Sequence, residues 1–143
     1  MSIESAGSAQ PTAAALVGVG IDLVDVARIE AVCERHPQRF ARRILHADEY
    51  ARFRERGARA RDLAKYFAVK EAASKALGTG MGAGVHWGLI ELTRKSSGAP
   101  LVCFHGAADA RLKALGGVAG LVSLADEGNL VIATVVLARG AAV

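Results

Sequence analysis

The chain has 143 residues, 52% of them hydrophobic, and a formal charge of +4, which suits one domain whose core needs no disulfide or metal staple. No apolar run approaches the ~20 residues of a membrane-spanning helix, and Met1 to Ala15 lacks the basic and apolar blocks of a secretory signal. That segment is expected to be a disordered lead, with the domain running over residues 16–143.

Leu16 to Leu23 reads as a strand, with Val17, Val19, Ile21 and Leu23 on one face and Gly18, Gly20 and Asp22 on the other. Asp25 is a helix cap, and Val26, Ile29 and Cys33 follow at helical spacing until Pro37 interrupts. Arg39 to Leu45 is a helical turn. Asp48 opens a short helix with Tyr50 and Phe53 inward and Gly57 as its stop. Nine arginines lie between Arg35 and Arg61, against Asp48, Glu49 and Glu55. This predicts a basic surface for nucleic acid, a phosphorylated cofactor or an acidic protein, unless it is only a solvated helical face.

The longest helix is expected from about Arg61 to Leu77, where Leu63, Phe67, Glu71 and Lys75 form one slowly drifting line. Gly78-Thr79-Gly80 ends it. Trp87 to Thr93 and Leu101 to Phe104 read as a hairpin around Lys95-Ser96-Ser97-Gly98-Ala99-Pro100. Ala107 to Leu115 is a short helix closed by Gly116-Gly117. Leu121 to Leu124 and Leu130 to Leu137 form a last hairpin. The pattern is a single α+β domain with mostly antiparallel strands.

Two acids stand out. Asp22 lies inside an apolar strand, where a carboxylate is costly without a partner, and the glycines before it leave room for another group to approach. Glu71 lies on the line begun by Leu63 and Phe67 and needs a cation, which Lys75 one turn later supplies as an ordinary helical pair. Alternatively the two carboxylates and the lysine form a hard oxygen site for Mg²⁺ and phosphate. Gly78-Thr79-Gly80 permits close backbone approach to an anion, but it ends a helix, and a glycine C-cap is the default reading. Cys33 and Cys103 are expected as reduced, buried thiols of a cytosolic protein. His36, His46, His86 and His105 show no metal-ligand spacing and are read as surface or structural.

Two segments together resemble the holo-acyl-carrier-protein synthases, a branch of the 4′-phosphopantetheinyl transferases. The first is Gly18-Val19-Gly20-Ile21-Asp22-Leu23-Val24 with Arg28-Ile29 downstream. The second is Phe67-Ala68-Val69-Lys70-Glu71-Ala72-Ala73-Ser74-Lys75-Ala76-Leu77-Gly78-Thr79-Gly80. Arg43-Ile44-Leu45, Glu49 and Gly98-Ala99-Pro100 fit the segments between and after them. The resemblance implies the family's transferase fold and transfer of 4′-phosphopantetheine from coenzyme A to a serine of acyl carrier protein, releasing adenosine 3′,5′-bisphosphate. It implies Asp22 and Glu71 as Mg²⁺ ligands and, with Lys75, as the catalytic set. Lys75, Gly78, Thr79, Gly80 and Ser123 would contact coenzyme A, and Arg28, Arg35 and Arg39 the carrier. It further implies a cytoplasmic homotrimer with sites between subunits, and no membrane or nucleic-acid partner. The general base is open between Glu71 and a water on the ion.

The chain departs from the family where the penultimate strand commonly ends H-V-S-x-S-H, here Leu121-Val122-Ser123-Leu124-Ala125-Asp126. An aspartate there would repel the adenosine 3′-phosphate, unless Lys65, Arg61 or another subunit compensates. Tyr66 stands where the family commonly has arginine. A non-catalytic carrier-binding relative is therefore an alternative. A basic nucleic-acid-binding domain is a remoter one, since no recognition signature accompanies the arginines.

Overall fold

A computed structural model describes residues 15–140; the rest of the expected lead, residues 1–14, lies outside them. The strands are β1 (Leu16–Asp25), β2 (Ile90–Arg94), β3 (Pro100–Phe104), β4 (Gly117–Glu127) and β5 (Leu130–Arg139). The helices are α1 (Val26–Arg35), α2 (Arg39–Ile44), α3 (Ala47–Glu55), α4 (Ala60–Ala76) and α5 (Gly106–Ala114). The strands form one antiparallel sheet in the order β1-β5-β4-β3-β2, so the α+β reading holds. The caps are local: the Asp25 carboxylate accepts from the amide of Ala27 at 2.9 Å, and His46 with Glu49 makes a reciprocal capping box at α3.

The apolar alternation of β1 reports the opposite of what it suggests. Val19, Ile21 and Leu23 are 68%, 60% and 58% exposed, whereas Gly20 is buried. The glycine face carries α4. A Cβ at Gly18 would stand 2.1 Å from the carbonyl oxygen of Ala76, and one at Gly20 1.9 Å from that of Ala72. Ala68, Ala72, Ala73 and Ala76 are buried on the helix side, so small residues on both elements bring the two backbones into contact. The room that the glycines leave is filled by this helix. On the other side of the sheet, Val19, Val136 and Leu121 share one cross-strand row and Leu23, Ile132 and Ala125 another.

The first hairpin also differs at its start. Trp87–Leu89 is a 3-10 turn, and β2 begins only at Ile90. The cause is Lys70, whose ammonium donates to the carbonyls of both Trp87 and Ile90. In a strand, carbonyls three residues apart point in opposite directions, so the chain must turn for both to converge on one nitrogen. Cys33 and Cys103 are free but half-buried, not buried. Burial pushes both thiols up, helped by Glu30 at Cys33 and by Glu91 at Cys103.

Lys70 and Glu49 are both fully buried and 2.6 Å apart. Glu49 Oε1 also accepts from the amide of His46 at 2.7 Å, and Oε2 from the amide of Leu92 at 2.8 Å. With its two carbonyl contacts, the lysine uses all three of its donors. Burial pushes the ammonium below its usual range, and the Glu49 carboxylate opposes that shift. Glu49→Gln is expected to destabilise the fold by about 3–5 kcal/mol, because a charge stays buried without its counter-charge. The double variant Glu49→Leu, Lys70→Met should recover part of this, short of the parent, since two backbone amides still lack an acceptor. Chemical denaturation measures both; a parental midpoint for Glu49→Gln contradicts the account.

Candidate active site

The close packing of β1 on α4 decides where the polar groups meet. Two residues along the glycine face of β1 correspond to one turn back along α4, from Gly18 at Ala76 to Gly20 at Ala72. The next residue on that face is Asp22, one turn further toward the helix N-terminus, and the side chain of Lys75, which leans toward that end, reaches back to it. Lys75 Nζ donates to Asp22 Oδ1 at 2.9 Å and to the carbonyl of Ile21 at 3.0 Å. The Asp22 side chain is 15% exposed and that of Lys75 50%.

Lys75 is thus paired with the strand and not with Glu71, the partner that helical spacing offers. Glu71 Oε1 instead accepts from Trp87 Nε1 at 2.9 Å. Trp87 also stacks on Phe67, ring centroids 6.3 Å apart, and Phe67 lies 6.2 Å from Phe40. The guanidinium of Arg43 sits 5.6 Å above the Trp87 ring, a cation–π distance. Nothing in the local sequence marks Trp87 as a partner of Glu71, because it belongs to the 3-10 turn that Lys70 imposes.

Asp22, Glu71, Arg28, Arg35, Phe67 and Trp87 line one cleft of about 610 Å³. Two carboxylates, two guanidinium groups and an aromatic wall therefore face one space. Each carboxylate uses one oxygen in the bonds just described, Oδ1 of Asp22 and Oε1 of Glu71. The other oxygens are hard donors of the kind Mg²⁺ takes together with phosphate oxygens and water, so the residues fit that ion. Arg39 lines a neighbouring depression with His36, Phe40 and Arg43.

The remaining predicted contacts lie elsewhere. Gly78, Thr79 and Gly80 close α4: the Gly78 amide bonds the carbonyl of Lys75 at 3.0 Å, and those of Thr79 and Gly80 bond that of Ser74 at 3.3 and 3.1 Å. Gly78 has φ +74° and Gly80 +57°, the left-handed values of a helix C-cap. Their amides serve the helix end, and they are not among the residues lining the Asp22–Glu71 cleft. Ser123 lines a second cleft with Lys65, Arg94, Leu124 and Asp126. There Asp126 meets Arg61 at 3.3 Å and Lys65 at 3.8 Å. Tyr66 opens on a recess that also holds Arg52, Arg56 and Arg94, so that wall is basic without an arginine at position 66.

The sequence profile of the 4′-phosphopantetheinyl transferase superfamily matches residues 18–135. A holo-[acyl-carrier-protein] synthase of Halorhodospira halophila is 48% identical over 125 residues, 87% of this chain and 99% of that protein. The crystal structure of holo-[acyl-carrier-protein] synthase from Neisseria meningitidis superposes with a TM-score of 0.81 at 34% identity, covering 87% of this chain and 99% of that one. The Helicobacter pylori synthase in complex with coenzyme A superposes with a TM-score of 0.73 at 28% identity, covering 84% and 99%.

Trp87 is the one tryptophan of the chain, so its emission reports on Glu71. Glu71→Ala is expected to shift that emission, because the indole N–H loses its acceptor. Lys113→Ala, at an exposed position of α5, should leave it unchanged. Identical spectra for parent and Glu71→Ala would separate the two side chains in solution.

Proposed function

The chain belongs to the 4′-phosphopantetheinyl transferase superfamily, among the holo-acyl-carrier-protein synthases, and we propose that it moves 4′-phosphopantetheine from coenzyme A to a serine of an acyl carrier protein, releasing adenosine 3′,5′-bisphosphate. The observation that carries this reading is the cleft in which Asp22 and Glu71 converge from separate elements beside Lys75 and two arginines. In the reaction the serine hydroxyl gives up its proton and its oxygen bonds to the phosphorus that carries pantetheine. The bond from that phosphorus to the bridging oxygen breaks, and the bridging oxygen leaves on the nucleotide.

Asp22 and Glu71 would hold Mg²⁺, which when bound polarises phosphoryl oxygens and offsets their developing charge. The protein's own groups supply position. The Trp87 indole fixes one oxygen of Glu71, and Lys75 fixes one of Asp22. The half-exposed lysine can also turn to a phosphate, as a compact point charge. Holding the serine in line accounts for much of the remaining rate enhancement. Arg28 and Arg35 line the same cleft and Arg39 flanks it, which suits an acidic carrier whose approach they would steer.

The second cleft, with Lys65, Arg94 and Ser123, is the candidate for the nucleotide end of coenzyme A. A homotrimer would let neighbouring subunits combine the two clefts. In support, Val19, Ile21, Leu23 and Leu121 leave an apolar face on β1, β5 and β4, of the kind that marks protein contact. We place the enzyme in the cytoplasm, where coenzyme A and carrier protein meet; no helix among the described residues is long and apolar enough to cross a membrane. The departure at Asp126 favours a second reading, a carrier-binding relative without transferase activity.

Incubation with apo-carrier protein, coenzyme A and Mg²⁺, followed by mass measurement of the carrier, separates the two readings. Gain of one phosphopantetheine supports the transferase; carrier binding without gain supports the second reading. Asp22→Ala and Glu71→Ala are each expected to lower transfer by roughly 100-fold or more with an unchanged fold by circular dichroism. Either variant acting at the parental rate removes that residue from the site. Asp126→Asn should lower KM for coenzyme A several-fold, because it frees Arg61 and Lys65 for phosphate. An unchanged KM would detach this corner from coenzyme A.

A further inference from the structure

His46, Glu91 and His105 come from three separate parts of the chain and converge away from the Asp22–Glu71 cleft. His46 is the N-cap of α3, Glu91 projects from β2, and His105 joins β3 to α5. Glu91 Oε2 lies 3.5 Å from His46 Nδ1 and 3.2 Å from His105 Nε2. One ligand atom from each of the three fits within a mutual separation of 4.8 Å. The two imidazoles are stacked, centroids 5.2 Å apart and planes 13° from parallel.

We propose that these three side chains form a zinc-class divalent-ion site, chemically distinct from the oxygen site in the cleft. The first reason is geometry. Nitrogen and oxygen ligands at about 2.0–2.1 Å from a tetrahedral Zn²⁺ stand about 3.3 Å from each other, and both measured separations from Glu91 fall close to that. The second is donor chemistry. Two imidazoles and one carboxylate suit Zn²⁺ and its borderline neighbours, whereas Mg²⁺ requires oxygen ligands. The third is electrostatic. A carboxylate between two stacked imidazoles offsets part of a divalent charge, and the side chains are 32% (His46), 14% (Glu91) and 43% (His105) exposed, so a water can reach the fourth position.

Two neighbours bear on the site. His46 Nδ1 already accepts from the Asp48 amide, at a long 3.4 Å, and an ion would replace that weak bond. The other half of the capping box, from the His46 amide to Glu49, is shorter at 2.7 Å and is untouched by the exchange. Cys103 pairs with Glu91 across the hairpin, so both side chains leave the same face of the sheet, and Glu91 raises the thiol as burial does. A soft donor therefore stands beside the site. Occupied, the site would tie the start of α3 to the first hairpin and to the start of α5.

The test is titration of the full chain, stripped of metal, with Zn²⁺ in excess Mg²⁺, and with Co²⁺ as a spectroscopic probe. The parent should bind one Zn²⁺ per chain, show the intense visible bands of tetrahedral Co²⁺, and gain roughly 5–10 °C in Tm at a hundredfold excess over Kd. His105→Gln removes a ligand at the N-cap position of α5, where the side chain makes no capping hydrogen bond. His46→Asn removes another while supplying a strong cap residue. Each should weaken Zn²⁺ binding more than tenfold and abolish the tetrahedral spectrum, with the metal-free Tm near that of the parent. The proposal is overturned if the parent binds no Zn²⁺ in excess Mg²⁺, or if both variants bind it like the parent. It is also overturned if Asp22→Ala, and not His105→Gln, removes the ion.

Discussion

The arrangement depends on one buried ion pair, Lys70 with Glu49. Neither side chain is accessible to solvent, and taking two charges out of water costs several kcal/mol per ion before their attraction is counted. Such a pair is a poor source of net stability. Its value is directional: three donors on the lysine and two acceptor oxygens on the glutamate fix α3, α4, the 3-10 turn and β2 relative to one another. An apolar plug of equal volume would fill the space but would not tell the Trp87 carbonyl where to point. Because that carbonyl is held, the indole of the same residue is presented to Glu71. Adjacent residues 70 and 71 on α4 thus act on the two ends of one tryptophan, the first through its backbone and the second through its ring.

A second constraint is the contact of β1 with α4 through glycine and alanine. It trades side-chain packing for proximity, since two backbones in contact leave little apolar volume between them. The return is positional. Asp22, two residues beyond Gly20, comes within reach of Lys75 and lines one cleft with Glu71 with no loop between, and sites built on regular elements are held more tightly than sites on loops. The larger aliphatic residues of β1 are displaced to the outer side, where they remain exposed in the single chain.

The element order, the two hairpins of a mostly antiparallel sheet and the Asp25 cap were legible from periodicity and turn residues. The motif segments, through their resemblance to a family, named Asp22, Glu71 and Lys75; in the structure Lys75 bonds Asp22, and Asp22 and Glu71 line one cleft. What periodicity got wrong has a common origin. Alternation along β1 says that two faces differ, but not which is covered, and here the covered one carries Gly18 and Gly20 with Val24, whereas Val19, Ile21 and Leu23 are exposed. On α4 the line Leu63, Phe67, Glu71, Lys75 steps by four and drifts off the core, ending at a half-exposed lysine. The buried face includes, besides the alanines against β1, Leu63, Val69, Lys70 and Ser74, with Leu77 just past the helix end. It was hidden because a charged residue in the middle of a core stripe reads as a surface position until its partner is known. Glu49 is 21 residues away, beyond any local pattern. The same holds for His46, Glu91 and His105, whose spacing carries no signal because three elements assemble them.

The basic character of the chain resolves into separate roles once positions are known. Arg59 pairs with Asp62 at 2.9 Å and Arg52 donates to the Leu92 carbonyl at 3.2 Å, so part of the arginine excess is structural. Arg28 and Arg35 face the cleft with Asp22 and Glu71, where the same carboxylates that attract a cation also limit the local positive potential. Arg61 and Lys65 face Asp126, and Arg61 donates as well to the Gly128 carbonyl at 2.6 Å. An anion approaching these two side chains must compete with a carboxylate already between them, which costs part of their attraction for it. Net charge therefore overstates the affinity of this corner for phosphate, and its strength is set by how readily Asp126 yields its partners.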